Sequence, residues 1–179
     1  MIGLADKALD EIEGATEEKN GQKVLREFWT KIIKAIASKT SLFQNISPGT
    51  KGWILAGSGI RGVGFYFGVG RTFGRTGLYI DRGDKEENKF IFDWLYAKKE
   101  SIETAFGGTL TWERLDNRRA CRIKCETPGN IFDPDQWPTL IEFMTDAMVR
   151  MEKTFKEPLA DINQQLQKRE KANIAPTIS

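Results

Sequence analysis

The sequence contains no histidine among its 179 residues. That excludes Ser-His-Asp and Cys-His catalysis, zinc sites built on imidazole and histidine-dependent nuclease chemistry. There are only two cysteines, Cys121 and Cys125, too few for a four-sulfur metal site. Four positions apart in an extended strand, they share a face about 13 Å from each other. That is beyond disulfide reach, so both read as small buried apolar residues of a reducing cytoplasm. Long apolar runs are also missing, and none approaches the roughly 18 residues of a membrane span. The first 18 residues have neither the basic start nor the apolar centre of a secretory signal. The expectation is a cytoplasmic protein with no membrane partner. Net charge is small, at +2, so the overall balance selects no ligand and any electrostatic reading must be local.

What is present suits one globular domain. Hydrophobic residues make up 40% and charged residues 29%, and a chain of this length buries a core without disulfide or metal staples. Three parts are expected: an acidic N-terminal arm at 1–20, a single α+β domain at 21–168 and a frayed tail at 169–179. In the arm, Asp6, Asp10, Glu11, Glu13, Glu17 and Glu18 oppose Lys7 and Lys19. Leu4, Ala8, Ile12 and Ala15 there have helical spacing, so a loosely attached helix and a solvated acidic arm are both open.

Leu25, Phe28, Ile32, Ile33 and Ile36 recur at three and four, which predicts an amphipathic helix over 22–39. Residues 49–77 then hold ten of the seventeen glycines, which argues against a helix. Aromatic and β-branched residues alternate there, predicting strands near 51–57, 61–70 and 74–82. Asp84, followed three residues later by Glu87, is a capping-box-like start. The helix it opens is expected to run to Phe106 and stop at Gly107-Gly108. A hairpin follows, from Leu110-Thr-Trp112 through Asp116-Asn117 to Arg119–Cys125. In its second strand Cys121, Ile123 and Cys125 face one way and Arg122 and Lys124 the other, the pattern of a sheet with one buried and one open face. A long helix after Asp135 carries Trp137, Leu140, Met144, Met148, Met151 and Phe155; its methionines read as core. Pro158 should kink or divide it. The order is helix, three strands, helix, two strands, long helix, giving a mainly antiparallel sheet with helices on one face.

Gly57-Ser-Gly59-Ile-Arg-Gly62 matches the dinucleotide fingerprint, with Asp81 about 20 residues on. A strand, not a helix, is predicted directly after the glycines, so no helix N-terminus can receive a pyrophosphate. The match reads as a turn, and no cofactor is expected. Glu87-Asn-Lys89 with Asp81 or Asp84 upstream offers the parts of a divalent-metal nuclease, Asp81, Asp84, Glu87 and Lys89. Capping and helix-dipole roles already account for Asp84 and Glu87, so a metal site is the lesser alternative and the chain reads as non-catalytic.

The basic residues carry more. Over 51–82 Lys51, Arg61, Arg71, Arg75 and Arg82 stand against Asp81 alone; over 109–125 Arg114, Arg118, Arg119, Arg122 and Lys124 stand against Glu113 and Asp116. Guanidinium forks pair well with phosphate. Arg61, Arg71, Arg75, Arg82, Arg114, Arg122 and Lys124 are therefore candidate phosphate contacts to DNA or RNA, with Tyr79 and Trp112 as stacking planes. The same charges also fit a solvated outer face paired with helix carboxylates. A protein-interaction module is the other open class: the arm and the Asp135–Lys168 helix would serve a homodimer or dock a nuclease partner.

The stretches Gly77-Leu-Tyr-Ile-Asp-Arg-Gly-Asp-Lys-Glu-Glu-Asn-Lys89, Phe92-Asp-Trp-Leu95, Leu110-Thr-Trp-Glu-Arg-Leu-Asp116 and Arg119-Ala-Cys-Arg-Ile123 resemble an uncharacterised prokaryotic domain of unknown function. That domain is often found behind predicted restriction-type nuclease domains. The resemblance runs from about Leu25 to Phe155. It implies association with nucleic-acid or defence systems, carries over no catalytic residue, and leaves this chain to act alone or with a separate nuclease.

Overall fold

The computed structural model describes residues 19–174. The expectations for the arm at 1–18 and for the last five residues lie outside them. Helix α1 (Lys19–Ala37) is followed by strands β1 (Trp53–Gly57), β2 (Val63–Val69) and β3 (Phe73–Ile80). Helices α2 (Lys85–Tyr96) and α3 (Lys99–Phe106) come next, then β4 (Thr111–Glu113), β5 (Cys121–Pro128), a short 3-10 turn and the long α4 (Trp137–Ile174). The strands form one antiparallel sheet in the order β1-β2-β3-β5-β4. The architecture is the α+β one expected, with helices on one face.

Strand pairing places Ile54, Ala56, Val63, Phe65, Phe67, Val69, Leu78, Ile80, Cys121 and Ile123 on the same face, all buried. The helices pack there. Phe43 stacks on Phe67 with ring centroids 4.9 Å apart, Thr76 donates to the Met144 carbonyl, and Phe92 meets Trp112 edge-on. Leu25, Phe28, Ile32 and Ile36 of α1 and Met144, Met148, Met151 and Phe155 of α4 complete the core. Close packing of this layer dictates Gly74: a Cβ there would meet Leu140 Cδ2 at 2.7 Å.

The Gly57–Gly62 segment is a turn, as its sequence context implied. Gly59 and Gly62 have φ of 93° and 78°, conformations that cost glycine little. The Ser58 amide and hydroxyl both donate to the Val63 carbonyl, and β2 follows at once. Asp84 is the N-cap of α2, its carboxylate accepting from the Glu87 amide at 2.9 Å. Cys121 and Cys125 are free thiols; Cys121 is buried and Cys125 only half-buried.

Three expectations need correction. The helix after Asp84 is two helices, α2 and α3, parted at Ala97-Lys98. No glycine or proline stands there, and the change of axis lets Leu95 and the Ile102–Phe106 pair all reach the core. Pro158 does not divide α4, and Leu159, Ile162 and Leu166 continue its buried stripe. Nor does that helix end near Lys168: it continues to Ile174, held by Glu170 against Arg82 at 3.0 Å and by Arg169 over the Phe90 ring.

Candidate nucleic-acid interface

The opposite face of the sheet carries no helix among the contacts above, yet it is not open. Register sets three rows across it. The first is Trp53, Gly68, Arg75 and Glu126; the second is Leu55, Tyr66, Gly77, Lys124 and Thr111; the third is Gly57, Gly64, Tyr79, Arg122 and Glu113. Long side chains stand beside glycines and lie flat over them. A Cβ on Gly77 would come within 2.7 Å of Tyr66 Cε1 and 2.6 Å of the Ile123 carbonyl oxygen. A Cβ on Gly68 would touch both Tyr66 and Arg75. Tyr66 is buried completely, and Arg75, Arg122 and Lys124 are only 4%, 2% and 6% exposed.

Two carboxylates make that burial tolerable, because ions are taken out of water cheaply only when paired and hydrogen-bonded. Glu126 accepts from Arg75 at 2.6 Å and from Lys124 at 2.8 Å. Glu113 accepts from Lys124 at 2.9 Å and pairs with Arg122 at 3.2 Å. The result is a chain of alternating charge, Arg75–Glu126–Lys124–Glu113–Arg122, with one cation in excess. Burial by itself would raise the Glu113 carboxyl, but the Lys124 hydrogen bond and the Arg122 and Lys124 charges outweigh it and hold it down to about 2. Glu126 is lowered in the same way, against its burial, by Lys124 and Arg75. Tyr66 is pushed up, chiefly by burial, so its phenol stays neutral.

The residues expected at phosphates fall into three groups. Arg75, Arg122 and Lys124 are brought together on this face, nearly covered and already paired. Arg61 and Arg71 lie in the turns at opposite ends of the sheet and are exposed. Arg61 donates to the Arg82 carbonyl, and Arg71 stacks over Phe132 with 4.7 Å to the ring centroid. Arg82 and Arg114 are engaged with helices: Arg82 with Glu87 and Glu170, and Arg114 with Asp93 and with Asp116 in its own loop. Of the two expected stacking planes, Tyr79 is on the face, its ring edge-on to Tyr66 at 6.4 Å. Trp112 is not; it points to the helix side, where its indole nitrogen donates to Glu103 at 3.0 Å.

The four parts of the alternative metal site are each committed elsewhere. Asp81 is clamped bidentately by Arg119 at 2.8 and 2.7 Å and also accepts from Asn88 and the Gly83 amide. Burial opposes ionisation of Asp81, but these bonds prevail and lower its carboxyl below the ordinary value. Asp84 caps α2, and Glu87 faces Arg82. Lys89 is buried, its ammonium donating to the carbonyls of Arg114, Leu115 and Ala120. A lysine so used ties α2 to the β4–β5 loop.

The sequence reading passed over Glu113 and Glu126 as bridging acids and Gly68 and Gly77 as the floor beneath Tyr66. Arg122, Lys124 and Glu126 alternate along β5, which is the signal that a carboxylate shares the cations' face. The pairing of Glu113 with Arg122 depends on register and could not be read from the chain alone.

Neither a curated protein nor a solved structure matches the chain significantly. A family model does, over residues 24–159, a stretch that holds the whole sheet and most of the helical layer: the chain belongs to the family described as Domain of unknown function (DUF4268).

Proposed function

We propose that this chain is a non-catalytic nucleic-acid-binding module serving a nuclease or defence system, and that it contacts the polyanion with the sheet face opposite the helical layer and the turns at its two ends. One observation carries the reading: three cations held in a flat lattice on a sheet face that carries no helix among the described residues, with exposed Arg61 and Arg71 and half-buried Arg118 at its margins. Segments 51–82 and 109–128, which build the sheet and its turns, carry net charges of +4 and +2. Cations already fixed in place lose little rotamer freedom on binding a phosphate, which lowers the ordering cost of the contact. The link to a nuclease rests on the resemblance alone. Against an apolar docking surface stands the scarcity of exposed large hydrophobics, which among the described residues are Tyr96 and Ile174.

The test is fluorescence anisotropy with labelled single-stranded DNA, duplex DNA and RNA at low salt. Binding should fall with salt, with a log–log slope of about −0.9 per phosphate contact on duplex. Arg61→Ala and Arg71→Ala together should weaken it without lowering the melting temperature, since both side chains are exposed. Arg122→Ala with Lys124→Ala is the wrong probe, because both are buried and their loss strands Glu113. Absence of binding to all three polymers at low salt overturns the reading.

A further inference from the structure

Arg75, Arg122 and Lys124 of the sheet are buried and paired; the cations of helix α1 are neither. That helix carries Lys19, Lys23, Arg26, Lys31 and Lys34 against Glu27 alone. At about 100° per residue, Lys23, Arg26, Lys31 and Lys34 fall within one arc of roughly 140°, together with Glu27 and Thr30. Leu25, Phe28, Trp29, Ile32 and Ile36 fill the opposite arc and are at most 1% exposed. The four cations are all exposed. The side chains of Arg26, Lys31 and Lys34 make no ion pair, hydrogen bond or ring contact among the described residues. Lys23 meets Glu27 at 3.9 Å, in a loose pair whose two side chains are more than half exposed.

The helix adjoins an end of the sheet where other exposed cations stand. Trp29 lies on the Arg26 side of α1, and its indole nitrogen donates to the Lys51 carbonyl at 2.7 Å. The next carbonyl, of Gly52, accepts from the Val69 amide, so Lys51 shares this end with the β2–β3 turn and Arg71. Phe28 packs edge-on against Trp137 at 5.5 Å, Trp137 donates to the Ile131 carbonyl, and the Ile131 amide donates to Gly70 of that turn. Lys51 and Arg71, both exposed, therefore extend the basic surface that α1 begins.

The pattern selects its ligand. From Lys23 to Lys34 the stripe is about 16 Å long, and duplex nucleic acid presents one charge per roughly 1.7 Å of axis. Four cations on that length reach several phosphates at once. The aromatic residues of α1, Phe28 and Trp29, are both buried, so unpaired bases find no stacking plane on this helix. A basic helix also lies on an anionic bilayer when its apolar face is free to enter the acyl boundary. The apolar face of α1 is committed to the core.

We infer that the exposed face of α1, through Lys23, Arg26, Lys31 and Lys34, is a phosphate-contact surface for double-stranded nucleic acid. The inference rests on the nucleic-acid reading above and adds an element outside the sheet, whose Arg26, Lys31 and Lys34 give up no carboxylate partner on binding. Contacts of this kind set affinity and position and read no sequence.

The test is anisotropy of the full chain with short labelled DNA and RNA duplexes over a range of salt. Arg26→Gln, Lys31→Gln and Lys34→Gln together should leave the melting temperature unchanged, because the three side chains are exposed and glutamine is as good a helix former. Losing their phosphate contacts should make the log–log salt slope on duplex DNA shallower by about 2.7 and weaken binding roughly tenfold or more at about 50 mM salt. Lys31→Arg with Lys34→Arg keeps the charge and should bind as the unaltered chain does. Lys153→Gln, Lys156→Gln and Lys168→Gln remove the same charge from exposed positions of α4 and should change the slope by less than about one contact's worth. Equal losses in the two triple variants overturn the α1 surface. So does duplex binding whose affinity and slope ignore the α1 changes, and so does binding of single strands alone; either result leaves the nucleic-acid reading standing. No binding to any polymer overturns both. Binding to phosphatidylserine vesicles that the α1 changes abolish, without duplex binding, assigns the stripe to a membrane and overturns the inference.

Discussion

The two faces of the sheet solve the same burial problem with opposite chemistry. On the helix side Phe65, Phe67, Leu78, Ile80 and Ile123 disappear beneath α1 and α4, and burial costs nothing polar. On the other side no helix arrives among the described residues, and arginine, lysine and tyrosine reach almost the same burial, packed beside glycines and with the cations paired to carboxylates. The apolar face gains from area removed from water, about 25 cal/mol per Å². The charged face gains little net, since pairing mainly offsets desolvation. The lesson is that the first face holds the fold together, while the second fixes charge in place.

That contrast is open to direct attack. Phe67→Ala removes a fully buried ring stacked on Phe43 and should cost about 3–5 kcal/mol, read by chemical denaturation. On the charged face Glu113→Gln should cost less, about 1–3 kcal/mol at neutral pH, by leaving Lys124 and Arg122 short of a carboxylate. Its effect should depend on pH. Glu113 titrates near 2 when folded, against an ordinary 4.5. The unfolded chain therefore takes up the proton first, and the stabilisation, complete above about 4.5, is lost as pH falls toward 2. Stability curves of the two proteins should converge over that interval; parallel curves would place the effect elsewhere. Gly77→Ala tests the floor of the lattice. Its Cβ meets Tyr66 and a β5 carbonyl at under 3 Å, and overpacking of this kind costs about 1–3 kcal/mol. The smallest effect belongs to a residue outside both faces. Asp84→Ala should cost about 1 kcal/mol and Asp84→Asn almost nothing, as an N-cap requires; a large loss in the Asn variant would contradict a capping role.

Much of this was legible before the structure. Alternation placed Cys121 and Ile123 on one face of β5 and Arg122 and Lys124 on the other, and the glycine-rich stretch read as strands because a helix could not bear it. Asp84 announced its cap three residues ahead of Glu87. The break at Ala97-Lys98 was silent, because neither residue disfavours a helix and the bend answers to packing. Pro158 misled in the other direction: one proline within a helix so well anchored on both sides does not divide it.

The candidate site shows the same boundary. That Arg75, Arg122 and Lys124 share the face away from the core follows from side-chain alternation, a property of the backbone that needs only the sequence. Their near-complete burial does not follow from it. It requires Gly68 and Gly77 to lie beneath the neighbouring strands' side chains, and Glu113 to fall opposite Arg122 rather than one residue to either side. Register between strands distant in the chain sets those distances, and a slip of one residue would turn every paired charge to the other face. Local chemistry therefore chose which residues are charged, and tertiary pairing alone decided which of those charges are fixed in a lattice and which remain exposed.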